Sequence, residues 1–78
     1  MDPVSALIID LLVDKFQIPA DAVQLDATFD SLEVDSLVLV ELAVILESRL
    51  GVVVADDELT KGQTLMEAAE LVRAKAAA

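Results

Sequence analysis

Histidine and cysteine are both absent from this 78-residue chain. No imidazole is available as a general base near neutral pH, and no thiolate as nucleophile, disulfide partner or metal ligand. A Ser-His-Asp or Cys-His site is therefore excluded within the chain, as is a zinc site built on His or Cys. Tyrosine and tryptophan are missing too, leaving Phe16 and Phe29 as the aromatics, so base stacking is not expected. Basic residues are scarce: 5 Lys and Arg stand against 15 Asp and Glu, a net charge of −10. That excludes the basic face of a nucleic-acid binder and argues against an anionic membrane surface. No apolar run approaches the roughly 18 residues of a spanning helix, because Asp10, Asp14, Glu41 and Glu47 interrupt the candidates. Met1-Asp2-Pro3 lacks the positive charge of a signal peptide. The expectation is a soluble cytoplasmic protein that meets partners with basic patches by electrostatic steering.

What is present reads as one small domain over residues 1–78. A chain of this length buries roughly 60% of its unfolded surface. Asp2 suits an N-cap and Pro3 the first helical position. Val4, Leu7, Ile8, Leu11 and Leu12 then recur at helical spacing, Lys15 suits the last turn, and Ile18-Pro19 stops the helix. A long connection follows from Gln17 to Asp35, with Val23, Leu25, Phe29 and Leu32 as its anchors; loops of this length are often functional. The second helix is expected from Ser36 to Leu50, closed by Gly51 in the left-handed conformation. Val52-Val53-Val54 has no partner run, so an extended connector is expected rather than a strand. Asp56-Asp57-Glu58 opens a short helix or turn ending near Lys61-Gly62. The last helix starts at a capping box, Thr64 with Glu67, and turns Leu65, Ala68, Ala69 and Val72 inward. The sum is an all-α fold: three main helices plus a short third one, with no sheet.

The second helix has two apolar arcs at 100° per residue. Leu39, Leu42, Ala43, Leu46 and Leu50 form a core stripe. Leu37, Val40 and Val44 form another, flanked by Glu41 and Glu47. Either the helix is buried nearly all round, or the second stripe is an exposed contact surface with an acidic rim. Between Lys15 and Arg49 there are seven acids and no basic residue, and they surround Ser36.

Ser36 stands where the loop becomes this helix. It is either the N-cap or, if Asp35 caps, a first-turn residue with an outward hydroxyl. A helix start favours an attached phosphate, because free N–H groups and the dipole stabilise negative charge. No group in the chain can deprotonate the serine, so any chemistry there must come from another enzyme. Two alternatives stand beside modification: an acidic helical interaction module in which Ser36 only caps, and an enzyme, which the missing His and Cys disfavour.

Asp35-Ser36-Leu37 resembles the D-S-L signature of acyl carrier proteins. The resemblance extends to the acidic loop with Phe29, to Glu41-Leu42, to Leu46-Glu47-Ser48-Arg49-Leu50-Gly51-Val52, to Asp56-Asp57-Glu58 and to the final amphipathic helix. It implies a small four-helix bundle, an acyl-carrier domain, whose Ser36 receives 4′-phosphopantetheine from coenzyme A through a phosphopantetheinyl transferase. The arm's thiol would carry acyl groups as thioesters, and the chain would have no catalytic or metal-binding residue of its own. Asp35 would face the transferase and its metal ion. Leu37, Val40, Glu41, Val44 and Glu47 would form a docking face, with Asp56, Asp57 and Glu58 as a second negative contact. The partners implied are an acyltransferase or ligase, a ketosynthase and tailoring enzymes with basic docking patches, met by a monomer. Two positions depart from the family pattern: Glu33 stands where glycine is usual, and Ala55 where proline often precedes the third helix. The Leu46-Glu47-x-Arg49-x-Gly51-Val52 pattern and the few acids of the second helix resemble carriers of polyketide or related secondary metabolism. Fatty-acid-synthase and aminoacyl carriers are the neighbouring alternatives.

Overall fold

The computed structural model describes residues 2–55 and 57–77. Three α-helices organise them: α1 (Pro3–Asp10), α2 (Ser36–Leu50) and α3 (Leu65–Ala77). The described residues form no strand, and one isolated bridge joins Thr28 to Thr64. No described helix is long and apolar enough to cross a membrane.

Helix α1 begins as expected. Asp2 Oδ1 accepts from the amides of Val4 and Ser5 at 3.0 and 3.1 Å, which satisfies two N–H groups that a helix start leaves unpaired. The helix then widens into a π-helical turn over Leu11–Lys15. There the Phe16 amide reaches back to the Leu11 carbonyl at 3.2 Å, and the Ile18 amide to the Leu12 carbonyl at 3.0 Å. Val4, Ile8, Leu11 and Leu12 are all buried. Gln17, at φ 58°, turns the chain out of the helix.

The long connection is an ordered strap. Val23 and Phe29 are buried and Leu25 and Leu32 half-buried, so the anchors hold as expected. Its backbone is tied to the entry of α3. The Phe29 amide donates to Gln63 O at 3.1 Å and the Asp30 amide to Lys61 O at 2.9 Å. In return, the Leu65 and Met66 amides donate to Ala27 O and Leu25 O at 3.0 and 2.9 Å. The strap thus supplies acceptors to the first turn of α3, alongside the capping box, in which Thr64 and Glu67 bond reciprocally at 2.9 and 3.1 Å.

Of the short helix or turn expected before α3, the described residues take the turn: residues 57–62 run through two of them. The first is closed by the Glu58 amide on Ala55 O, the second by the Gln63 amide on Thr60 O. The Lys61 and Gln63 carbonyls accept from the strap. The all-α class stands.

Helix α2 ends at Gly51, whose φ of 69° is left-handed and whose amide donates to Glu47 O at 2.9 Å. Val52 and Val54 are buried with Val53 facing out, so this segment is an extended connector. Leu39, Leu42, Ala43 and Leu46 meet Ile8, Phe29, Leu65, Ala68 and Val72 in one core. Helix α1 packs on α3, and Arg73 fastens the two, 2.8 Å from Asp2 Oδ2.

Candidate functional site

The approach to Ser36 is built by a reversal of the chain. Leu32, Glu33 and Val34 donate to Phe29 O, Asp30 O and Phe29 O at 3.0–3.1 Å, and Glu33 adopts φ 60°. Here a residue with a Cβ occupies the left-handed region that glycine enters at least cost. The turn sends Val34 into the core, where it is buried, and leaves Asp35 extended at the mouth of α2.

Asp35 is the N-cap. Its Oδ1 accepts from the Val38 amide at 2.9 Å. Capping is therefore done before Ser36 is reached. Ser36 is the first residue of α2 and is exposed, so its hydroxyl is not needed to close the helix. Beside it runs an open groove of about 430 Å³ lined by Ser36, Leu39, Val40, Leu59, Thr60 and Lys61. A tether leaving the serine has room, and an acyl-bearing arm fits the site in that respect.

The second apolar stripe of α2 lies in solvent. Leu37 is 66% exposed, Val40 42% and Val44 58%, which rules out the all-round burial that the helix pattern also allowed. Glu41 is exposed beside them. Glu47 is placed differently. It is half-buried, and its Oε2 accepts from the Val54 amide at 2.9 Å, so it anchors the returning connector. Asp57 is exposed, whereas Glu58 is half-buried. Glu58 Oε1 accepts from the Ala55 amide and sits 2.8 Å from Lys75 Nζ. The Lys75 bond, and then the Ala55 amide, lower the Glu58 pKa. Asp56 lies outside the described residues.

Of the acids expected around the site, the structure leaves Asp35, Glu41 and Asp57 exposed and gives Glu47 and Glu58 structural bonds. It also brings in residues that sequence reasoning had not placed there: Leu59, Thr60 and Lys61. Lys61 ends the expected short helix or turn, and its carbonyl is tied to the strap by the Asp30 amide, a long-range bond with no local signal. No cluster of three or more acidic side chains with metal-binding geometry occurs among the described residues.

Residues 6–72 match the family model described as a phosphopantetheine attachment site. The chain is 42% identical over 67 residues to an acyl carrier protein of Petrotoga mobilis, covering 85% of this chain and 79% of that one. It is 36% identical over 67 residues to an acyl carrier protein of Lactobacillus johnsonii, covering 85% and 84%.

Proposed function

This chain belongs to the acyl carrier protein family, and from that premise we propose that Ser36 bears its 4′-phosphopantetheine arm and that the cargo is an acyl intermediate of polyketide or related secondary-metabolite biosynthesis. Members of this family are non-catalytic carriers, and phosphopantetheine is the group their attachment site holds. The observation that carries the assignment of Ser36 is the division of labour at the start of α2: Asp35 caps, and the serine stands exposed beside an open groove.

In the loading step a transferase takes the hydroxyl proton as Ser36 Oγ attacks the phosphorus of coenzyme A that bears the pantetheine. The new Ser–O–P bond replaces the phosphoanhydride, and adenosine 3′,5′-bisphosphate leaves. When bound, the arm supplies a thiol that holds acyl groups as thioesters. The chain's own residues present that site. The α2 N-terminus places its free N–H groups and positive dipole end near the new phosphate. Leu37, Val40 and Val44 offer an apolar contact, and Asp35 and Glu41 carry the charge that meets basic patches on a transferase, an acyltransferase or ligase, a ketosynthase and tailoring enzymes, with Asp57 as a further contact. Glu47 and Glu58 join this face through their structural bonds rather than as free rim charges.

A sparsely acidic docking face supports the polyketide assignment: of Glu41 and Glu47, which flank the stripe, Glu47 is engaged by the Val54 amide. The protein would work in the cytoplasm as a monomer, where its net charge of −10 opposes self-association.

The test has two stages. Incubation with coenzyme A and a promiscuous transferase should raise the intact mass by one arm, and Ser36→Ala should stay unmodified. An unchanged wild type would remove the assignment. Mass spectrometry of the protein from its native host then identifies the cargo. A saturated acyl chain would move the chain to fatty-acid synthesis, and an aminoacyl group to a peptide-forming system.

A further inference from the structure

The five basic side chains of this acidic protein are distributed unevenly. Arg73 and Lys75 are spent in ion pairs with Asp2 and Glu58. Lys15 and Arg49 line grooves at the far end of α2, about 20 Å from its start at 1.5 Å per residue. Lys61 lines the Ser36 groove and forms no ion pair among the described residues. Its backbone is pinned, since its carbonyl accepts from the Asp30 amide at 2.9 Å. The lysine's backbone is thereby fixed along the groove that Ser36 lines.

We infer that Lys61 is the counter-ion of the arm's phosphodiester. This inference rests on attachment at Ser36. The group next to the serine oxygen would be a monoanionic phosphodiester, and Ser36 and Lys61 line the same groove. Adding an anion to a chain already at −10 increases self-repulsion, and a lysine at the same groove offsets it locally. An ammonium suits this role, because it contacts phosphate as a point charge on a flexible stem.

The pairing makes the first part of the arm lean along residues 59–61 instead of projecting freely from α2. Lys61 is thus a positioning residue. It limits the directions in which the thioester end can sweep, and a docking enzyme that supplies its own cation would release it.

Wild type, Lys61→Gln and Lys61→Arg are loaded with coenzyme A and a transferase, followed by intact mass, and compared as apo and holo proteins by amide NMR at low and high salt. Loading should shift the amides of Leu59, Thr60 and Lys61 in wild type and in Lys61→Arg. In Lys61→Gln those shifts should fall by more than half, and in wild type high salt should do the same. The ³¹P resonance of the holo wild type should respond to salt more than that of holo Lys61→Gln. A chain that gains no mass overturns the attachment at Ser36 and this inference with it. A loaded wild type whose shifts stay confined to residues 35–38, or a Lys61→Gln protein that reproduces the wild-type shifts, overturns this inference alone.

Discussion

Replacing Glu33 by glycine should stabilise the protein. Glu33 holds φ 60° at the turn that delivers Val34 to the core and Asp35 to the mouth of α2. The left-handed conformation costs an L-residue about 1–2 kcal/mol. Glycine removes that penalty but gives back about 0.5–1 kcal/mol through the greater freedom of its unfolded chain. The side chain is exposed, so no packing is lost. The net gain is about 0.5–1 kcal/mol, which for a domain of this size raises Tm by roughly 3–6 °C. The substitution also removes a negative charge from a chain at −10, and that contribution must be separated. Glu33→Ala removes the same charge and keeps the Cβ, so it should stay within about 0.5 kcal/mol of wild type. Gln17→Gly, at φ 58°, relieves the same strain with no change in charge and should stabilise in the same direction. Urea unfolding at fixed pH and salt, with Tm by circular dichroism, measures all three. If Glu33→Ala matches Glu33→Gly while Gln17→Gly gains nothing, the backbone argument is refuted and the effect belongs to charge.

Glu47→Ala should cost about 1–2 kcal/mol, because the Val54 amide loses its carboxylate acceptor; amide exchange at Val54 should quicken, and a variant as stable as wild type would deny Glu47 its anchoring role. Asp2 has its pKa pulled well below the ordinary 3.8 by the Ser5 hydroxyl and amide and by Arg73. A carboxylate depressed in the folded state stabilises above its unfolded pKa and loses that contribution as pH falls through the folded value. The stability gap between wild type and Asp2→Asn should therefore be full above about pH 5 and shrink as the pH falls below 4, and a gap that widens in acid would contradict this. Glu41→Lys should slow acyl transfer from a loading enzyme about 2- to 5-fold at low salt, in line with one exposed ion pair of about 0.5–1 kcal/mol, with helix content unchanged; a salt-independent rate in wild type would defeat it.

Elements whose signals lie within a few residues were legible in the sequence. Asp2-Pro3, Gly51 and the Thr64–Glu67 box mark three helix ends by local hydrogen bonding and dihedral preference, and the structure has all three. The second apolar arc of α2 was legible from its period, and so was the uncertainty over which of Asp35 and Ser36 caps. The cap itself was not, since either side chain can reach an orphan amide; the turn at Glu33 decides it by setting Asp35 extended. The π-helical turn at Leu11–Lys15 has no local signature, because a run such as Leu11-Leu12-Val13 suits an ordinary α-helix equally well. In the segment before α3 the acids suit a short helix or a turn alike, and the pairing of the Lys61 and Gln63 carbonyls with the Asp30 and Phe29 amides is a tertiary contact with no local signal. Glu47 looked like a rim charge on the helical wheel, and only the path of the connector after Gly51 sets an amide against it.

The exposed stripe and the acid surplus are two sides of one constraint. Helix α2 has more apolar surface than its neighbours cover: α1, α3, the strap and the connector bury the Leu39–Leu46 face, while Leu37, Val40 and Val44 remain in solvent. Such a patch invites pairing between copies. Repulsion between chains of net charge −10 acts against that pairing at a range of about 8–10 Å, yet does not act against a partner with a basic rim. The charge therefore selects among apolar contacts as well as steering them. If this face docks partners as proposed, the bond that takes Glu47 out of the rim shifts its balance toward shape and apolar area and leaves the exposed Asp35 and Glu41 with most of the electrostatic discrimination.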